Sequence, residues 1–126
     1  MSNGTVNSEF YFENLDVYKL SIALTQRVYT ITKGWPREYL FGLTSQFTRA
    51  VLSIPLNIAE GSGRTKKDFA RFLDISRTSC FECIPIIEIA KFEGLLSDIE
   101  YKEIKTELIK LSRMLNRLKA SLSHNS

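Results

Sequence analysis

The sequence predicts an all-α protein, folded as an up-down-up-down antiparallel four-helix bundle. Three observations carry this reading. Four long stretches place apolar residues at helical spacing, the joints between them are short, and no stretch shows the strict alternation of a half-buried strand. Helices of roughly 20–30 residues reach about 30–45 Å at 1.5 Å per residue, and short joints force neighbours to run antiparallel.

Residues 1–11, rich in Ser, Asn and Gly and without a period, read as a flexible arm ahead of a bundle domain over 12–122; residues 123–126 read as a frayed tail. The first helix opens after Asn14, a candidate N-cap with Asp16 in the first turn. Its broad apolar face takes Leu15, Tyr18, Ile22, Leu24, Val28, Tyr29 and Ile31, and Gly34 is its stop. Pro36 suits the first turn of the second helix, where its missing N–H costs nothing. Leu40, Leu43, Phe47, Ala50, Val51, Ile54 and Ile58 form that helix's stripe.

Thr65 caps a third helix, with Asp68 three residues on as an imperfect capping box. Phe69, Phe72, Leu73, Ser76, Cys80, Cys83, Ile87 and Ala90 continue it, and Gly94 ends it. "SDIE" at 97–100 is a full Ser-x-x-Glu box, with Leu96 placed to staple onto Tyr101. The last helix is the cleanest: Ile104, Leu108, Leu111, Leu115, Leu118 and Leu122 alternate spacings of four and three.

The segment "SIPLNIAEGSGR" at 53–64 joins the second and third helices. Pro55 removes one helical hydrogen bond and crowds the carbonyl of Val51, which predicts a helix that bends without stopping, since the apolar period runs on to Ile58. Gly61 or Gly63 is expected in the left-handed conformation, with Ser62–Arg64 as a tight hairpin. A Walker-type phosphate loop needs a preceding strand and a Gly-Lys-Ser/Thr, and neither is present. What remains is a helix start whose N–H groups at residues 66–68 adjoin Arg64, Lys66, Lys67 and Arg71, a site suited to a phosphate of a larger polyanion.

Arg49, Ser53, Leu56 and Glu60 follow a second, polar line on the second helix, and Asn57 lies nearer the apolar stripe. Two readings stay open for them. They form a binding site, or they are structural, with Glu60 pairing with Arg49 or Arg64 and Asn57 satisfying groups freed at Pro55. Setting the register of helices or subunits is a third use.

The totals bound the function. A length of 126 residues with 44% apolar content gives one domain with a real core, and 17 Lys and Arg against 14 Asp and Glu leave a formal +3 that permits an anionic partner without requiring one. No apolar run approaches the roughly 20 residues of a membrane span. The start has neither a basic n-region nor an apolar h-region, which predicts a soluble cytoplasmic protein without membrane contact. Cys80 and Cys83 lie within a helix and lack a second pair for zinc, so they read as small packing residues. His124 is the sole histidine and no Glu-x-x-His occurs, which leaves no metal or cofactor set. No nucleophile with a base and no carboxylate pair stands at a chemical spacing, so no enzyme is predicted. Aromatics at helical spacing read as core, Trp35 at a joint being the exception.

"FENLDVYKL", "VYTITKGWPREYLFGLTSQFTRAVLSIPLNIAEGSGR" and "FARFLDIS" together resemble the four helix bundle protein family, also called 23S rRNA intervening-sequence proteins. The resemblance covers roughly Phe12 to Leu122 and centres on Gln46, Arg49, Ala50, Ser53, Ile54, Pro55, Asn57, Ile58, Ala59, Glu60, Gly61 and Arg64. It implies a bacterial four-helix bundle that assembles as a homopentamer. It also implies encoding within insertions of large-subunit ribosomal RNA genes, and kinship with the basic, nucleic-acid-binding accessory protein of diversity-generating retroelements. In helix three this chain departs from the family pattern: Thr78 replaces a small glycine, Ser79 and Glu82 are retained, and Pro85 is added.

The resulting expectation is an oligomer that binds nucleic acid, structured RNA in particular, through Arg64, Lys66, Lys67 and Arg71 with Arg113 and Arg117 of the last helix. A scaffold that holds a partner protein by its helix faces is the alternative.

Overall fold

The structure is a computed structural model that describes residues 10–124. Four α-helices, α1 (Asp16–Thr32), α2 (Ser45–Ser62), α3 (Lys66–Phe92) and α4 (Asp98–His124), follow a 3-10 turn at Tyr11–Asn14. α1 packs on α2, α2 on α3, α3 on α4, and α4 closes back on α1. This is an all-α four-helix bundle, up-down-up-down in chain order.

Each helix contributes one stripe to a single core. Phe47, Val51, Ile54 and Ile58 of α2, Leu73, Cys80, Cys83 and Ile87 of α3, and Ile104, Leu108, Leu111 and Leu115 of α4 are buried. Each such aliphatic side chain withdraws surface worth about 1.5–3 kcal/mol.

α1 differs from the expected face. Its buried seam is Val17, Ser21, Leu24, Thr25, Val28 and Thr32, while Tyr29 is exposed. The hydroxyls enter the interior because each has a carbonyl within reach: Ser21 donates to Tyr18 (2.7 Å), Thr25 to Ser21 (2.7 Å) and Thr32 to Val28 (2.9 Å). Nor does Asn14 cap this helix. Leu15 stands at the N-cap, and the start is organised by the preceding turn, where the Phe10 N–H donates to the Glu13 carboxylate at 3.0 Å and Phe12 packs edge-on to Tyr18. Phe10 and Tyr11 thus belong to structure, and the remainder of the expected arm, residues 1–9, lies outside the described residues. At the other terminus α4 continues to His124, so residues 123 and 124 are helical where fraying was expected; 125–126 lie outside the described residues.

The α1–α2 joint is longer than the sequence suggests. Pro36 leads a 3-10 turn (Arg37–Tyr39) and then a wider π turn (Leu40–Thr44) before α2 begins. Side chains tie this path to the α3–α4 joint: Trp35 Nε1 donates to the Leu95 carbonyl at 3.1 Å, and Tyr39 donates to Glu93 at 2.9 Å. Trp35 also stacks on Phe47, so its role is structural.

α2 runs unbroken through Pro55. The Val51 carbonyl, which the proline leaves without its helical donor, accepts from the Thr25 hydroxyl of α1 at 3.3 Å. Directly before the proline, the Ile54 carbonyl accepts from Ser76 of α3 at 2.8 Å. α3 likewise runs through Pro85, which is exposed, so the freed Phe81 carbonyl lies on the solvent side. Thr78 is exposed too, its hydroxyl turned onto the Asp74 carbonyl, and no close helix approach depends on it.

Gly94 has φ +78°, and with Leu95 N–H on the Ala90 carbonyl (2.8 Å) and Gly94 N–H on that of Lys91 (3.0 Å) it ends α3 in a Schellman motif. α4 opens with the expected reciprocal box: Glu100 N–H donates to Ser97 Oγ (3.0 Å) and Ser97 N–H to the Glu100 carboxylate (2.9 Å).

The two ends of the bundle differ. Phe41, Phe92 and Ile99 are 93%, 88% and 70% exposed, and all three sit at the end carrying the α1–α2 and α3–α4 joints. The α2–α3 joint, with its cations, occupies the opposite end, about 27 Å away along α2.

Candidate nucleic-acid interface

The α2–α3 joint is built around a close approach. Gly61 lies inside α2 with ordinary helical backbone, and Gly63 has φ −88°, so neither takes the expected left-handed conformation. Gly61 is required for space. A Cβ there would stand 2.5 Å from Phe72 Cβ and 3.0 Å from Phe69 Cδ1, so the absence of a side chain lets the start of α3 fold directly onto the end of α2. The hairpin is tight: Arg64 N–H donates to the Gly61 carbonyl at 3.0 Å, and the Ser62 hydroxyl to that of Ala59 at 2.9 Å.

Thr65 then caps α3, accepting from Asp68 N–H at 3.2 Å. That bond occupies one of the three amides at residues 66–68 expected to face an anion. Around them, Arg64 and Arg71 lie on the Phe72 ring, their guanidinium carbons 5.0 and 4.7 Å from its centroid. Lys66 and Lys67 are exposed beside them. Glu60 binds Arg64 at 2.6 Å and holds the guanidinium pKa above its ordinary value, chiefly through that hydrogen bond; Asp68 lies 3.9 Å from Arg71. The corner therefore offers four cations against two carboxylates, with two guanidinium groups over one aromatic ring.

Arg113 stands apart from this corner, with Arg117 about one turn nearer to it along α4. Both are exposed on α4, and Arg113 lines the α3–α4 cleft beside Cys80 and Phe81, about 14 Å along the axis from Arg71.

The polar line of α2 separates into three parts. Glu60 pairs with Arg64, not with Arg49. Asn57 donates to the Ser53 carbonyl (2.8 Å) and hydroxyl (2.9 Å), and Ser79 of α3 reaches Ser53 Oγ at 2.8 Å. Asn57 therefore does not serve the carbonyl freed by Pro55, which falls to Thr25. Arg49 is exposed and, with Gln46, Ala50, Ser53, Glu82 and Pro85, lines an open groove of about 660 Å³ between α2 and α3.

Cys80 and Cys83 are buried, and desolvation pushes both thiols up to about 12. Such thiols are unreactive packing groups. Among the described residues no group of three or more His, Cys, Asp or Glu is arranged to hold a metal, and no helix is long and apolar enough to cross a membrane.

A protein of unknown function from the S23 ribosomal protein family of Bacteroides thetaiotaomicron superposes with a TM-score of 0.76 at 21% identity, over 82% of this chain and 95% of its own. At that identity the likeness establishes the fold. No curated protein matches the chain. The family model described as 23S rRNA-intervening sequence protein matches residues 13–117, from the turn before α1 to the last third of α4, and the chain belongs to that family.

Proposed function

We propose that this protein is a non-enzymatic, cytoplasmic, oligomeric nucleic-acid-binding protein, a homopentamer that favours structured RNA. The observation that carries the reading is the α2–α3 corner, where Arg64, Lys66, Lys67 and Arg71 surround the capped start of α3. A phosphate placed there meets the positive end of a 27-residue helix together with two guanidinium groups held on Phe72. Arg117 is an outlying contact. Five copies repeat a grip that is modest in one chain, and linked grips bind a long polyanion far more tightly than any one of them.

Contacts of this kind read backbone charge, so affinity falls steeply with salt and shows little sequence preference. Fluorescence anisotropy with a labelled structured RNA tests this. The expected result is at least a tenfold loss of affinity between about 50 and 200 mM salt, and a salt slope reduced by about one for each of Lys67→Glu and Arg71→Glu. Affinity that is independent of salt, or untouched by these variants, refutes the reading.

The exposed Phe41, Phe92 and Ile99 favour a second reading, a scaffold holding a partner protein at the opposite end. It is selected if RNA is not bound at low salt while Phe41→Ser and Phe92→Ser abolish capture of a defined partner.

A further inference from the structure

We infer that the cleft between α3 and α4 takes one unpaired base of the bound RNA, stacked on Phe81, with an adjoining phosphate on Arg113. This rests on the nucleic-acid reading above and names what the RNA must offer there: a single-stranded loop, bulge or end.

The cleft combines an apolar wall with unused polar groups. Phe81, Ile84, Leu108 and Ile109 line a space of about 200 Å³, and Ser112 and Arg113 join them. Sites for drug-sized molecules run to about 300–1,000 Å³, so this one fits a single ring system. Arg77 of α3 lies over the Phe81 ring, its guanidinium carbon 5.5 Å from the centroid, yet Phe81 remains 53% exposed. Among the described residues, neither the Ser112 hydroxyl nor the Arg113 guanidinium has a hydrogen-bond or ion-pair partner.

The charge around the cleft favours a nucleotide over an apolar side chain of a protein. From Leu108 to His124, α4 carries Lys110, Arg113, Arg117 and Lys119 and no carboxylate. Across from them, Asp74 of α3 is bound by Lys119 at 2.7 Å and lies 3.8 Å from Arg77, so it is already neutralised. Glu82 and Glu107, each next in sequence to a cleft residue, line the α2–α3 groove and the α1–α4 cleft instead. Glu88 stands about one turn beyond Ile84 and bounds the basic stretch on the side away from the α2–α3 corner.

The cleft also continues the corner. Phe81 lies about 15 Å beyond Arg71 along α3, and the Asp74–Lys119 pair and Arg77 stand between them. A strand gripped at the corner therefore reaches the cleft along a basic path. A base inside a duplex is paired and stacked and shows only its edges, whereas an unpaired base offers the whole face that Phe81 requires. Every base has such a face, so this contact adds affinity for single strands without adding sequence preference.

Fluorescence anisotropy with three labelled RNAs of equal length tests the inference: a single strand, a fully paired duplex and an abasic strand. Phe81→Ala should weaken the single strand about 5- to 100-fold with its salt slope unchanged, and leave the duplex and the abasic strand within about twofold. Unchanged duplex binding also shows that the variant is folded. Phe81→Trp should retain single-strand affinity and Phe81→Leu should not, which separates stacking from apolar bulk. Arg113→Gln should lower the single-strand salt slope by about 0.7. A Phe81→Ala protein that binds the single strand like the parent, or loses single strand and duplex equally, overturns the subsite; duplex binding that still responds to Lys67→Glu and Arg71→Glu then leaves the corner standing. A Phe81→Ala protein of lowered mass in light scattering places the residue between copies and overturns the subsite as well. If none of the three RNAs binds at low salt, both readings fall.

Discussion

Replacing Gly61 by alanine sets two effects of opposite sign against each other. Alanine is the better helix former by up to about 1 kcal/mol, and Gly61 has helical backbone, so a local argument predicts stabilisation. The tertiary argument predicts the reverse. The new Cβ would lie 2.5 Å from Phe72 Cβ, where carbon atoms normally rest at about 3.5–4.0 Å, so α3 must retreat by about 1 Å. Phe72 Cβ is fixed to the α3 backbone and cannot swing aside. Overpacking of this kind costs typically 1–3 kcal/mol, and here it loosens Phe69 and Phe72 together. The expected net loss is about 1–2 kcal/mol, read as a Tm lowered by roughly 4–8 °C at fixed protein concentration. Gly63→Ala is the control: its Cβ meets nothing within 4 Å, so the change should stay within about 0.5 kcal/mol. A Gly61→Ala protein as stable as the parent refutes the close-approach account.

Thr25→Val should cost about 1–3 kcal/mol by leaving the Val51 carbonyl without a donor, and most of that loss should vanish in a Pro55→Ala background, where a backbone N–H returns; urea denaturation of the four-member cycle measures this. Cys80 and Cys83 should resist a thiol reagent at pH 8 and react only on unfolding. Their folded pKa values lie above the ordinary thiol value, so their contribution to stability is complete below about pH 9 and is lost as pH rises towards 12. Ser97→Ala removes the acceptor for Glu100 N–H and should lower stability by about 1 kcal/mol in the same denaturation assay.

How far the sequence reveals the structure depends on where each residue's partner lies. α4 is legible because Ile104, Leu108, Leu111 and Leu115 are apolar and the box at Ser97 is purely local. α1 is not, because Ser21, Thr25 and Thr32 enter the interior by folding their hydroxyls onto carbonyls three or four residues back. An apolar count cannot register polar groups that have been satisfied locally. Gly61 reads as a helix stop because glycine commonly ends helices, yet its purpose depends on Phe72, which reaches it only through the fold. Pro55 announces an orphaned carbonyl, but no feature of the sequence names Thr25, 26 residues from Val51, as the donor. In the candidate interface, the cations at 64–71 are visible as neighbours along the chain. That Arg113 stands apart from them, and that Arg64 reaches the ring of Phe72 beside Arg71, required three dimensions.

The opposition between the two ends of the bundle gives the molecule a direction. A chain held on a polyanion by its α2–α3 corner stands with Phe41, Phe92 and Ile99 pointing away, about the length of α2 from the phosphates. A strand coated with such chains would exchange a charged, hydrated exterior for an oily one. Neighbouring coated strands would then attract one another where bare strands repel, and increasing occupancy would drive condensation of the nucleic acid.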